Sequence, residues 1–223
     1  MRTTCVVTTI LTVSFFATNL WGAKGDAERL TAATETLAEL KTTISHDLAN
    51  KAVCAIVVPG MKKGGFIVGG KYGRGFASCR NDRGGWTAPA GMRIEGGSFG
   101  LQIGGEGSDV IILVMNKSGM EKLLKSKFTL GGDASVAAGP VGREGDAQTD
   151  ALMHAEMLTW AKSRGAFAGV SLDGSTMRPD DEANKELYGE KATNPDILAG
   201  KFPVPAEAKS FVTALDKFSP HKA

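Results

Sequence analysis

The stretch Gly64-Gly65-Phe66-Ile67-Val68-Gly69-Gly70-Lys71-Tyr72-Gly73-Arg74-Gly75-Phe76-Ala77-Ser78-Cys79 decides the fold. Read at period two, Phe66, Val68, Gly70, Tyr72, Arg74 and Phe76 share one face, while Gly65, Ile67, Gly69, Lys71, Gly73, Gly75, Ala77 and Cys79 share the other. The second face is nearly bare of side chains. Glycine weakens a strand, so a run of it predicts a bend, a bulge, or backbone packed closely on another element or a ligand.

Strand signals continue on both sides. Ala52 to Val58 is an apolar run that predicts a buried strand closed by a turn at Pro59-Gly60. Asn81 to Gly85 reads as a turn, Trp86 to Ile94 as a strand, and Gly96-Gly97 as a further turn. Phe99, Leu101 and Ile103 alternate with Gly100, Gln102 and Gly104, and Asp109 to Met115 is a second apolar run. These runs read as a meander of short antiparallel strands, and Ala134 to Ala138 and Phe167 to Leu172 read as further strands.

Helical periodicity lies mostly outside this region. Leu30, Ala33, Leu37, Leu40, Ile44 and Leu48 recur at three and four residues across Asp26 to Asn50, which predicts an amphipathic helix. Its polar face holds little Lys or Arg, so packing on the domain's own sheet is favoured over adsorption to a membrane. Ser118 and Glu121 have capping-box spacing for a short helix through Leu124 or Lys125. Pro179 reads as a helix start with Asp180, Asp181 and Glu182 in the first turn and Gly189 at its end. A last helix runs from Pro205 to Phe218 on Ala208, Phe211, Val212, Leu215 and Phe218. Ala151 to Lys162 fits helix and strand patterns equally, and its propensity leans to helix.

The fold class expected is α+β, a strongly bent antiparallel sheet or barrel-like core flanked by helices, in one domain over residues 24–223. Residues 1–23 read as a signal peptide, with Arg2 before an apolar stretch from Val6 to Leu20 and small residues at Gly22-Ala23. Export implies a periplasmic or extracellular location and leaves Cys54 and Cys79 where disulfides are permitted. Bridged strands and two buried thiols are both consistent with their positions.

The net charge of +2 and 22% charged residues are ordinary for a globular chain and give no support for nucleic-acid binding. His46, His154 and His221 are scattered, and neither a phosphate loop, a G-x-S-x-G elbow nor a zinc pattern is present. His154 and Glu156 lack the P-C-x-x-C that a zinc deaminase requires. Asp109 and Asp133 suit turns or caps better than catalysis. No enzyme activity and no cofactor are expected. Lys62, Lys63, Lys71, Arg74, Arg80, Arg83 and Arg93 all fall in or beside the first hairpins, and such clusters bind phosphate by charge-assisted hydrogen bonds.

The glycine blocks carry a resemblance. Lys63 to Phe66, Tyr72 to Gly75, Gly84 to Pro89, Gly97 to Gly104, Ser108-Asp109, Gly131 to Arg143 and Arg164 to Leu172 run in the order found in the SYLF domain family, over about Ala52 to Gly174. The resemblance implies binding of anionic phospholipid or phosphoinositide at a membrane surface, with actin binding in some eukaryotic members, and no catalysis. It also implies a strand at Ala151 to Lys162. The protein partner is left open; a structural or protein-interaction role in the cell envelope is the alternative function.

Overall fold

A computed structural model describes residues 25–65, 68–82, 84–99, 107–141, 154–163 and 165–220. The chain opens with helices α1 (Asp26–Leu40) and α2 (His46–Lys51). Long strands β1 (Cys54–Gly65), β2 (Val68–Cys79), β3 (Ala90–Phe99) and β4 (Gly107–Val114) follow. Helix α3 (Lys117–Leu123) leads to short strands β5 (Phe128–Thr129) and β6 (Val136–Ala138). Strands β7 (Met157–Ser163), β8 (Ala166–Gly169) and β9 (Thr176–Pro179) precede helices α4 (Asp181–Tyr188), α5 (Asn194–Leu198) and α6 (Lys209–Phe218).

The strands form a single sheet in the order β5-β9-β3-β2-β1-β4-β7-β6, with β8 paired to β7. It curls into a half-barrel flanked by helices, the α+β architecture expected. All ladders are antiparallel except β6 with β7. On the outer face α1 and α6 lie against the sheet, burying Leu30, Ala33, Leu37 and Leu40 with Phe76, Phe211, Leu215 and Phe218. The inner face packs Ile56, Val58, Met61, Met92, Ile94 and Ile112 with Leu123, Leu172 and Ile197. Each large side chain removed from water contributes about 1.5–3 kcal/mol, so these two layers hold the curl.

The bare glycine face explains the bend. A Cβ at Gly75 would sit 2.0 Å from the Val57 carbonyl oxygen, and one at Gly73 would meet Val58 Cγ1 at 2.5 Å. Here β1 and β2 approach more closely than side chains allow, at the register shift between Val57 and Lys62.

Several expected boundaries move. Pro59-Gly60 is a bulge inside β1 instead of a turn: Gly60 takes φ +60°, and its amide donates to Asp109 Oδ1 at 2.8 Å. Gly96-Gly97 lies within β3, in register with Lys71 and Gly70, so the turn expected there is absent. The strand expected at Trp86 begins at Ala90, after an isolated Arg80–Trp86 bridge. The first helix is broken into two, because Thr42 Oγ1 donates to the Glu39 carbonyl and Ser45 caps a new helix by accepting from the Leu48 amide.

Helix α3 is capped by Asn116, which accepts from the Gly119 amide at 2.9 Å, while Ser118 donates to Glu156. Met157–Ser163 is a strand, as the family resemblance implied and against local propensity, since β4 and β6 flank it with open ladders. Pro179 ends β9, and Asp180 is the cap of α4, whose C-cap is Gly189. The expected strand Phe167 to Leu172 shortens to β8, and β9 carries too little periodicity to be read locally. Asp133 accepts from the Thr129 amide, a turn role like that of Asp109. The alternation over Leu101 to Ile103 and the signal peptide lie outside the described residues.

Candidate functional site

The six described basic residues divide into two groups. Arg74 and Arg93 are direct neighbours across the β2–β3 ladder. Both turn to Asp180, which is fully buried at the N-terminus of α4. Arg74 donates twice to this carboxylate, through Nε to Oδ2 and from a terminal nitrogen to Oδ1 at 2.9 Å, and Arg93 donates to Oδ1 at 2.9 Å. Glu182 lies 3.6 and 3.7 Å from the same guanidinium groups. Burial would raise the Asp180 carboxyl, but the Arg74 hydrogen bonds and charge, then those of Arg93, hold it below the ordinary carboxylate value. The Asp180 hydrogen bonds raise Arg74 in turn, against an opposing effect of burial.

Gly91 makes this clamp possible: an added Cβ there would lie 2.8 Å from both the Asp180 carbonyl oxygen and Ala183 Cβ. The Asp180 amide donates to the Gly91 carbonyl at 2.9 Å, and the Gly91 amide donates to Asn184 Oδ1 at 2.7 Å. Arg74 and Arg93 therefore bind α4 to the sheet.

Arg80 is also engaged internally. It donates to the carbonyl oxygens of Gly84 at 3.2 Å and Ser219 at 2.5 Å, and its guanidinium lies 4.1 Å from the centre of the Trp86 ring. Burial lowers its pKa, with Asp216 opposing. Arg83 lies outside the described residues.

The three lysines are placed differently, at the far end of the β1–β2 hairpin. Lys63 is opposite Lys71, and Lys62 is opposite Tyr72. Cross-strand partners share a face, so Lys63 and Lys71 project on the inner face, with Gly73 and Gly75, and Lys62 and Tyr72 project on the outer. Among the described residues none of the three lysines makes an ion pair within 4 Å. Lys71 is pushed down first by burial, which disfavours its charged ammonium, and then by the Lys63 charge, while Asp173 acts the other way. Its stem crosses the bare backbone of Gly96, where an added Cβ would meet Lys71 Cε at 2.8 Å.

Tyr72 is 44% exposed. Its alternation placed it on the Arg74 face, but nothing local marks it as a contact residue. Cys54 and Cys79 are directly opposite in the same hairpin and form a disulfide. Beyond the sheet, Gly139-Pro140 rests on Trp160, whose Nε1 donates to the Pro140 carbonyl at 3.0 Å. Those residues of the long family motif therefore pack a core tryptophan.

A cleft of about 530 Å³ beside Arg80 is lined by Asn81, Asp82, Thr87, Met120, Leu124 and Leu198. Among the described residues no group of three or more His, Cys, Asp and Glu is placed to hold a metal ion. No described helix is long and apolar enough to cross a membrane.

A family model described as "Ysc84: Las17-binding protein actin regulator" matches residues 95–218. The SH3 domain-containing YSC84-like protein 1 of Homo sapiens is 38% identical over 158 residues, covering 70% of this chain and 46% of that protein. The protein of the same name from Xenopus laevis is 36% identical over 159 residues, covering 70% and 48%. Protein YSC84 of Saccharomyces cerevisiae is 33% identical over 157 residues, covering 69% and 34%. The chain spans less than half the length of these curated relatives. With more than half of its residues matched by the family model, the chain belongs to the Ysc84, or SYLF, family of binding and regulatory domains.

Proposed function

We propose that this domain docks, without catalysing a reaction, on anionic phospholipid headgroups at a membrane surface through Lys62, Lys63 and Lys71. The observation that carries this reading is that Lys63 and Lys71 oppose each other in the ladder with no ion-pair partner within 4 Å among the described residues. Like charges opposite one another destabilise a sheet, and a bound anion removes that cost. The arginines support the reading by contrast, since Arg74, Arg80 and Arg93 already have protein partners.

Export is part of the proposal. The apolar stretch in residues 1–23 supports it, and so does the Cys54–Cys79 disulfide, a bond that persists in oxidising compartments.

Sedimentation with phosphatidylcholine vesicles, with and without phosphatidylglycerol, tests the reading. Each lysine near an anionic surface contributes about 1 kcal/mol, so replacing all three by Ala should weaken binding roughly 100-fold. Added salt should weaken the wild type and have little effect on the variant. Wild-type binding indifferent to headgroup charge and salt would sink the mechanism. A protein-interaction role is the second reading, favoured by the family's description as a Las17-binding protein and actin regulator.

A further inference from the structure

We infer that helix α3 and the cleft beside it form a docking site for an acidic polypeptide segment that carries one large apolar anchor side chain. The site goes beyond the headgroup reading and uses no residue of the β1–β2 hairpin. Gly119 sets the helix in place: an added Cβ there would lie 2.8 Å from both the Glu156 carbonyl oxygen and Val114 Cγ1, so α3 sits close on the end of β4. That approach buries Leu123 fully and leaves Met120 and Leu124 half-buried, lining the cleft of about 530 Å³. The end of α5 contributes Leu198 and the exposed Ala199 to the same cleft. Its volume falls in the range of about 300–1,000 Å³ usual for ligand clefts, and a methionine in the wall adapts its shape to an entering side chain.

The remainder of α3 is basic. Lys117 and Lys122 lie on the helix, Lys125 and Lys127 just past it, and among the described residues none of the four makes an ion pair within 4 Å. Lys122 acts on Glu156, whose carboxylate also accepts from Ser118 and from the Ser135 amide at 2.7 Å. Lys117, Lys125 and Lys127 are exposed, and Lys117 comes one turn before Met120 and two turns before Leu124, which sets it at the edge of the cleft. The carboxylates on the helix and the cleft lining are Glu121 and Asp82, while Asp196 near the end of α5 is taken by Lys201 at 2.6 Å. Four lysines against Glu121 leave this segment strongly positive.

Charge and shape together specify the occupant. Lys117 and the C-cap Leu124 are about 10 Å apart along the helix axis, and Lys127 lies farther on. A small anion seated in the cleft would leave most of these lysines unmet. A flat anionic surface would meet the lysines and leave the cleft empty. A chain with acidic residues spaced along α3 and an apolar side chain between them engages both, the cleft supplying the anchor pocket and the lysines the rim.

The test is selection from a random peptide-display library on the intact protein. Enriched peptides should carry several Asp or Glu around a Leu, Phe or Trp. The strongest, synthesised with a fluorescent label and followed by anisotropy, should bind Lys117→Ala/Lys125→Ala/Lys127→Ala about tenfold more weakly than wild type, and added salt should weaken its binding to wild type. Ala199→Trp fills the cleft from its exposed rim with every lysine in place; it should also weaken binding about tenfold and keep the salt dependence. Replacing the peptide's apolar residue by Ala should cost as much on wild type and little on Ala199→Trp, and it reads the cleft without touching the protein. Lys62→Ala/Lys63→Ala/Lys71→Ala should bind the peptide as wild type does. Enrichment of no peptide, or of peptides without acidic residues, overturns the proposal. So does full peptide binding by the α3 lysine variant, indifference to the peptide's apolar residue, or loss of peptide binding in the hairpin variant. Loss of binding to phosphatidylglycerol vesicles by the α3 variant with peptide binding intact would give this face to the membrane and overturn the site.

Discussion

Arg74 lies directly opposite Arg93 in the β2–β3 ladder, and both guanidinium groups close on the one buried carboxylate of Asp180, more than 80 residues away from either in sequence. Two like charges face to face are unfavourable unless an anion sits between them, and here the protein supplies its own. Removing that anion leaves two partly buried cations with only the exposed Glu182 carboxylate, 3.6 and 3.7 Å away, to offset them. Asp180→Ala should therefore destabilise the fold by about 3–5 kcal/mol, measured by chemical denaturation. A smaller loss than for an ordinary surface ion pair would mean that α4 is held by its apolar contacts alone.

The same carboxylate makes stability depend on pH. Its folded value is depressed below the ordinary aspartate value of about 3.9. The stabilisation is therefore complete above about pH 4 and is lost as the pH falls through the folded-state value. The stability difference between wild type and Asp180→Asn should be constant near neutrality and shrink in acid. Denaturation curves at a series of pH values check this, and a difference that widens in acid would contradict it.

The disulfide joins two buried residues separated by 25 positions. In the chain-entropy account a loop of that size is worth about 3.5 kcal/mol. Reduction, or the pair Cys54→Ser and Cys79→Ser, should lower the melting temperature without changing the far-ultraviolet circular dichroism at room temperature. Mass spectrometry after alkylation of protein recovered from its native compartment should find both thiols protected.

Glycines in the same hairpin should respond oppositely to substitution. Gly75→Ala drives a methyl group into the Val57 carbonyl, and an overpacking loss of about 1–3 kcal/mol is expected. Gly64→Ala meets nothing within 4 Å among the described residues and should leave stability within about 0.5 kcal/mol of wild type. Thermal melts of the two single variants separate packing glycines from those at the open end.

Much of the architecture was legible because it is encoded by near neighbours. Period-two alternation located the strand character of β2 and much of β3, though not the ends of their hairpins, and apolar spacing of three and four located α1 and α6. The glycine pairs show where such reading stops. Gly84 does sit in a turn, with φ +81°, whereas Gly96 and Gly97 are strand residues, because adjacent ladders supply hydrogen bonds that outweigh local turn preference. Met157–Ser163 went the same way, a sequence of helical propensity held as a strand between neighbours.

For the site, the sequence by itself determined that bases cluster around the first hairpins and that two cysteines lie in strands. Only the tertiary structure decided which bases are already engaged: Arg74 and Arg93 by Asp180, Arg80 by Ser219 and Trp86, while Lys62, Lys63 and Lys71 remain at the hairpin end beside Tyr72. The physical reason is range. Periodicity follows from backbone geometry within a few residues, but an ion pair or a disulfide depends on ladder register and on how closely a distant helix can approach, which Gly91 permits for Asp180.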